Sequence, residues 1–295
     1  MSLLPGRPVF DGLPPGLAGD LAYALFCRPD LSDRRAADHE ALVLRARRQL
    51  RGLAPHYIDS PVGPVATYTL EPPKPSGTAL LIVHGWTSEA SFMTAIAEPL
   101  RQRGHRVVLL DMPAHGRSPQ CRASLIDCAR GIRAVAETLG PFDGLLAHSI
   151  GALAGLLVAE GGPPLGPGPT FPHVALIAAP NALSEITRSF GAGAGLDHAQ
   201  QRAFEMRVAR VGARPVSRFS SANLIGEAKP RTLVVHSRDD TVIPVANAIE
   251  IAQAVPRGQL TLVDDLGHAR ILYAPPVVRQ IRNFFDPLIG RHSDG

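Results

Sequence analysis

Six short apolar runs, each followed by a loop and a helical stretch, constrain this chain more than any other feature. They are Ala79–Val83, Val107–Leu110, Gly144–Ala147, Val174–Ala179, Thr232–Val235 and Leu260–Val263. Runs that are continuously apolar suit strands covered on both faces, whereas a strand with one wet face alternates. Strands that recur with helices between them form a parallel sheet with right-handed crossovers and helices on both faces. An α/β fold with a mostly parallel central sheet is therefore expected. Ligands of such sheets sit outside the carboxyl ends of the strands, so chemistry is sought just after each run. The chain has 295 residues, 45% of them apolar and 19% charged, which suits one globular domain of this size.

Two segments interrupt the rhythm. Residues 161–170 hold four glycines and four prolines and read as a surface loop. Residues 181–228 separate two strands by more than a crossover needs and look helical around 199–211. This is expected to be a small helical cap inserted at the carboxyl edge. Between residues 185 and 220 it carries six arginines against three acids. That excess either coats a helix face or attracts an anionic substrate. The first 61 residues read as an N-terminal helical extension, with apolar rows Leu17, Leu21, Leu25 and Leu42, Ala46, Leu50, Leu53. The main domain is expected over residues 62–288, with a tail from 289 to 295.

Charge and cysteines narrow the partners. The net charge is +4, and all the basic residues except Lys74 and Lys229 are arginine. They are scattered and belong to no recognisable nucleic-acid module, so no nucleic-acid partner is expected. A short cluster at Arg45, Arg47, Arg48 and Arg51 lies off the apolar row and reads as a solvated helix face, with weak membrane-surface association as the alternative. No stretch reaches 18 apolar residues, so no membrane span is expected. Cys27, Cys121 and Cys128 make neither a disulfide framework nor a CxxC pair. With no secretory signal read at the N-terminus, a cytoplasmic location is expected. Metal and cofactor are both expected to be none, since no HExxH, Walker or post-strand GxGxxG pattern occurs.

The segment Ala147-His148-Ser149-Ile150-Gly151 is a G-x-S-x-G elbow with alanine at its first position. An apolar strand precedes it and a small-residue helix follows. Such a strand-to-helix turn projects a serine hydroxyl into a cleft, and small neighbours let strand and helix approach. The Ile150 amide then opens a helix, where backbone donors are free and the dipole is positive.

Four further segments occur in an order that resembles the α/β-hydrolase superfamily. Leu81-Ile82-Val83-His84-Gly85-Trp86 is similar to its HGx turn. Asp111-Met112-Pro113-Ala114-His115-Gly116-Arg117-Ser118 is similar to its D-x-P-x-x-G-x-S loop. His236 to Pro244 resembles its acid loop, and Leu266-Gly267-His268 its histidine loop. The resemblance covers about residues 62–288. The alanine at 147 and the first 60 residues depart from the common pattern and look like a bacterial subgroup with an A-H-S-x-G elbow.

The resemblance implies a serine hydrolase of the esterase or lipase type. Ser149 is its expected nucleophile, His268 the base and Asp240, four residues before Pro244, the acid; the adjacent Asp239 is the competitor. The Trp86 and Ile150 amides are the expected oxyanion donors. Trp86, Phe190 and Phe204 are expected to line the acyl pocket. His84, His148, His236 and His115 are expected to brace loops. A carboxylesterase for small or medium acyl esters is the favoured activity. Thioesterase, C–C hydrolase, acyltransferase and perhydrolase chemistry use the same residues, and a ligand-binding or signalling protein on this fold is the rival of another class.

Overall fold

A computed structural model describes residues 10–29, 46–48, 50, 52–256 and 258–289 of the chain. Most of the second expected helix of the extension, and Arg45 and Arg51, lie outside them. The elements run α1 (Pro15–Phe26), β1 (His56–Ile58), β2 (Val65–Leu70), β3 (Ala79–Val83), α2 (Thr94–Gln102), β4 (Arg106–Leu110), α3 (Leu125–Leu139), β5 (Gly144–His148) and α4 (Ile150–Glu160). They continue as β6 (His173–Ile177), α5 (Leu183–Ala194), α6 (His198–Gly212), α7 (Ser221–Ala228), β7 (Arg231–Ser237), α8 (Val245–Gln253), β8 (Gln259–Val263), α9 (Gly267–Arg270) and α10 (Pro275–Phe285).

Eight strands form one sheet in the order β1-β2-β4-β3-β5-β6-β7-β8. β1 and β2 are antiparallel, as are β2 and β4; every other pairing is parallel. All six apolar runs are strands of its parallel part. Alternate residues feed the two faces. Leu81 and Val83 of β3 pack toward α3 and α4, while Leu80 and Ile82 pack toward α2 and α10. β3, β5 and β6 are buried along their whole length, which is why they read as continuous apolar runs.

β1 and β2 were not among the expected strands. Val65-Ala66-Thr67-Tyr68-Thr69-Leu70 mixes polar and apolar residues, yet its first four are buried. Thr67 Oγ1 donates to the His56 carbonyl at 2.8 Å, and Tyr68 donates its hydroxyl to Asp111 Oδ2 at 3.0 Å. The polar atoms are satisfied inside, so polarity did not mark a wet face. β1 also lies within the segment expected to be a helical extension, so the sheet begins at residue 56, not after 61.

Helix starts follow local chemistry. Ser124 and Asp127 form a reciprocal capping box at α3. Asp197 and Gln200 do the same at α6. The helices α5, α6 and α7 fill the 181–228 insertion, and α1 lies against α6. The buried face of α1 is Ala18, Gly19 and Ala22, not the leucine row; Leu17 is 58% exposed. Two of the cap arginines are held by acids. Arg214 makes a two-pronged pair with Glu160 at 3.0 Å, and Arg207 lies 3.4 Å from Asp20. Among the described residues no helix is long and apolar enough to cross a membrane.

Candidate active site

The loops after β3, β5, β7 and β8 meet at one edge of the sheet, because parallel strands deliver all their carboxyl ends there. Ser149 sits between β5 and α4 with φ 53° and ψ −132°, a positive-φ conformation that a residue with a side chain rarely adopts. Such a conformation costs on the order of 1–3 kcal/mol and persists only where the surroundings impose it. Here they do. The Ser149 amide donates to the Ile177 carbonyl at 2.9 Å. A Cβ at Gly151 would lie 2.1 Å from the His84 carbonyl oxygen, and one at Gly85 would lie 2.9 Å from Ser149 Cβ. Glycine at both positions lets the two loops close on the serine. Ala147, the departure from the usual elbow, is fully buried in β5.

His268, on the short helix α9, places Nε2 3.0 Å from Ser149 Oγ and Nδ1 2.8 Å from Asp240 Oδ2. The structure thus brings together Ser149, His268 and Asp240, which lie 119 and 28 residues apart in the chain. Asp240 is buried, and burial alone would raise its pKa. The His268 hydrogen bond and charge, with the Ile243 and Val242 amides on Oδ1, outweigh burial and hold it below the ordinary carboxylate value. An ionised Asp240 accepts the Nδ1 proton of His268, which leaves Nε2 as an acceptor facing the serine hydroxyl. That arrangement can take a proton from a serine and hold the resulting imidazolium.

Asp239 is not spare. Its Oδ1 accepts from Ser237 Oγ and from the Leu266 and Gly267 amides at 3.3 and 3.2 Å, so it ties the acid loop to the histidine loop. The sequence offered only its adjacency to Asp240. Trp86 follows Gly85, whose backbone lies against Ser149, and the Ile150 amide is the first of α4, where no intrahelical acceptor exists. The Trp86 ring stands edge-on to His115 at 4.7 Å.

Phe190 and Phe204 are placed differently from the pocket lining expected of them. Both are buried, 5.4 Å apart, and each meets Phe26 edge-on at 5.1 and 5.3 Å. They form the aromatic contact that seats α5 and α6 against α1. The sequence could not show this, because it did not reveal that α1 docks on the cap.

The histidines around the site act as braces. The His84 Nε2 accepts the Met112 amide at 2.9 Å, so Nδ1 donates to the Gly85 carbonyl. His115 accepts the Thr87 amide at 3.2 Å and donates to the Pro113 carbonyl. His148 Nε2 donates to the His268 carbonyl at 3.0 Å. Burial, then the nearby His268, lowers the His148 pKa to about 3, so it stays neutral. His236 donates to the Ile243 carbonyl at 2.9 Å and is kept neutral chiefly by burial. Asp111 accepts from Tyr68 and from the Ala90 and Arg117 amides; burial is the main cause of its raised pKa.

Comparison with known proteins agrees with this architecture. A stretch of 98 residues is 33% identical to a serine hydrolase-like protein of Dictyostelium discoideum, covering 32% of this chain and 27% of that one. A stretch of 63 residues is 35% identical to 2-hydroxymuconate semialdehyde hydrolase of Pseudomonas putida, covering 21% of this chain and 22% of that one. The matches therefore span only about a quarter of these relatives. Est1E from Butyrivibrio proteoclasticus, solved with ferulic acid bound, is 18% identical with a TM-score of 0.61, over 78% of this chain and 97% of that one. At that identity it speaks for the fold alone. Residues 80–280 match the alpha/beta hydrolase family over more than half of the sequence, and the chain belongs to that family.

Proposed function

We propose that this alpha/beta hydrolase is a serine carboxylesterase that cleaves small or medium acyl esters through an acyl-enzyme. The observation that carries the proposal is the unbroken relay from Ser149 Oγ through His268 to Asp240, at 3.0 and 2.8 Å. A serine hydroxyl is a weak nucleophile at neutral pH and needs an adjacent base. His268 Nε2 takes the proton as Oγ attacks the ester carbonyl. The developing oxyanion is met by the Ile150 and Trp86 amides, which the elbow and the Gly85 turn hold in place. Losing one such donor typically removes about 3–4 kcal/mol of transition-state stabilisation. The imidazolium, stabilised by Asp240, returns its proton to the departing alkoxide. Water then enters, gives its proton to His268 and releases the acid by the same steps in reverse.

Ferulic acid, bound in the structurally similar Est1E, is a carboxylic acid, the product class this reaction forms. The test is intact-mass detection of fluorophosphonate adducts beside turnover of p-nitrophenyl esters from acetate to palmitate. A single adduct on Ser149, absent in Ser149→Ala, with turnover peaking at one chain length, is the expected result. In Ser149→Ala, kcat should fall by at least roughly 10⁴-fold. Labelling with no ester turnover keeps the nucleophile but rejects the ester, and redirects the search to thioesters or C–C bonds. Absence of any adduct rejects the serine mechanism and favours a ligand-binding role.

A further inference from the structure

Of the arginine cluster read in the N-terminal segment, Arg47 reaches a buried carboxylate beside the candidate site. Glu89 lies at the end of the loop that leaves β3, three residues after Trp86, and its carboxylate is buried. Such a charge is unfavourable in the interior unless it is paired and hydrogen-bonded. Arg47 supplies the pair. Its Nε donates to Oε1 at 2.7 Å and its Nη2 to Oε2 at 2.6 Å, the parallel two-pronged geometry that a lysine cannot reproduce. Ser91 adds a third bond to Oε1 at 2.7 Å.

The neighbours of Glu89 show what that pair controls. The Thr87 amide is fixed on His115 and the Ala90 amide on Asp111 at 2.7 Å, both groups from the loop after β4. Arg47 fixes Glu89, one of the two residues between them, and comes from a different part of the chain, outside the stretch that matches the family. Trp86 directly precedes this pinned segment, and Gly85 before it packs on the serine: a Cβ there would lie 2.9 Å from Ser149 Cβ.

Resting on the serine-hydrolase reading above, we propose that Arg47 is a positioning residue: its clamp on Glu89 holds the Trp86 amide where the oxyanion forms. Arg47 then supports the loop that carries the oxyanion donor, although it comes from a distant part of the chain. Displacing a preorganised donor by a fraction of its bond length weakens transition-state binding while leaving ground-state binding nearly unchanged.

The test compares full-length wild type with Arg47→Ala and Arg47→Lys. The readouts are kcat and KM on the preferred p-nitrophenyl ester, the rate of phosphonylation by a fluorophosphonate, and Tm. In Arg47→Ala, kcat and the phosphonylation rate should fall together by about 10–100-fold, with KM changed less than about twofold. Arg47→Lys should fall between. Millimolar guanidinium chloride should restore part of the Arg47→Ala rate, and equal sodium chloride should not. A kcat within about twofold of wild type overturns the proposal, as does a loss that guanidinium does not restore. If Arg47→Ala does not accumulate, Glu89→Gln carries the test: it keeps the shape and removes the charge, and unchanged kcat overturns the proposal. A wild type that takes no label refutes the serine reading itself. A labelled wild type with an equally reactive variant refutes only the role of Arg47.

Discussion

Two adjacent aspartates behave differently because their oxygens face different partners. Asp240 spends Oδ1 on the Val242 and Ile243 amides and turns Oδ2 to His268. Asp239 is exposed and spends Oδ1 on Ser237 and the Leu266 and Gly267 amides. Asp240→Asn removes the charge facing the imidazolium, and its amide group can present N–H to His268 Nδ1, which selects the wrong tautomer. For the proposed esterase, kcat at pH 7 should fall by about 10⁴-fold with KM little changed. Asp239→Asn weakens a loop contact and leaves the relay intact, so kcat should fall by less than about tenfold. Steady-state kinetics on one ester decide it. Equal losses in the two variants would contradict this division of labour.

Among the elements, α1 carries the main lesson about packing. Its leucines at 17, 21 and 25 have helical spacing, which the sequence offers as a buried row. The structure buries the small residues instead, because α1 approaches α6 backbone to backbone. A Cβ on Gly19 would lie 2.6 Å from the Ala203 carbonyl carbon and 2.7 Å from the Phe204 nitrogen. Neither atom is the end of a flexible side chain, so Gly19→Ala must push the helices apart. It should lower stability by roughly 1–3 kcal/mol. Gly16, with nothing within 4 Å of its added methyl, is the control. Gly16→Ala should be neutral or stabilise by up to about 1 kcal/mol, since alanine restricts the unfolded chain. Paired urea melts check both; a Gly19→Ala protein as stable as wild type would mean α1 is loosely docked. The parallel strands and the elbow were legible because a continuous apolar run and a serine between small residues are local patterns. The small-residue face of α1, the burial of Phe190 and Phe204 behind it, and strand β2 were not. Each depends on which distant element arrives opposite.

At the scale of the whole molecule, the sheet separates chemistry from foundation. The relay gathers at the carboxyl ends of the strands, while His105 lies at the amino end of β4, fully buried, with Nδ1 2.5 Å from Thr78 Oγ1. Burial lowers its pKa to about 4, and lowers that of His148 to about 3. Unfolded histidine titrates near 6.5, so between these values the unfolded chain binds more protons than the folded one. Stability therefore rises with pH across this window: it is complete above about pH 6.5 and is lost as pH falls toward 4. At pH 5 each of the two histidines should cost roughly 2 kcal/mol relative to pH 7.5. His236, shifted in the same direction, adds to the loss. Asp240, whose folded pKa is depressed, has the same sign but contributes only in more acidic solution. Urea unfolding at pH 7.5 and pH 5 measures the difference. His105→Gln removes one titrating site at the amino edge without touching the relay. Its pH-dependent loss should be smaller than that of wild type by roughly 2 kcal/mol, while its kcat at pH 7.5 stays unchanged. An identical loss in wild type and variant would show that His105 takes up its proton in the folded protein. The acid sensitivity of the fold would then rest on other groups, His148 and His236 beside the Ser149–His268–Asp240 relay among them.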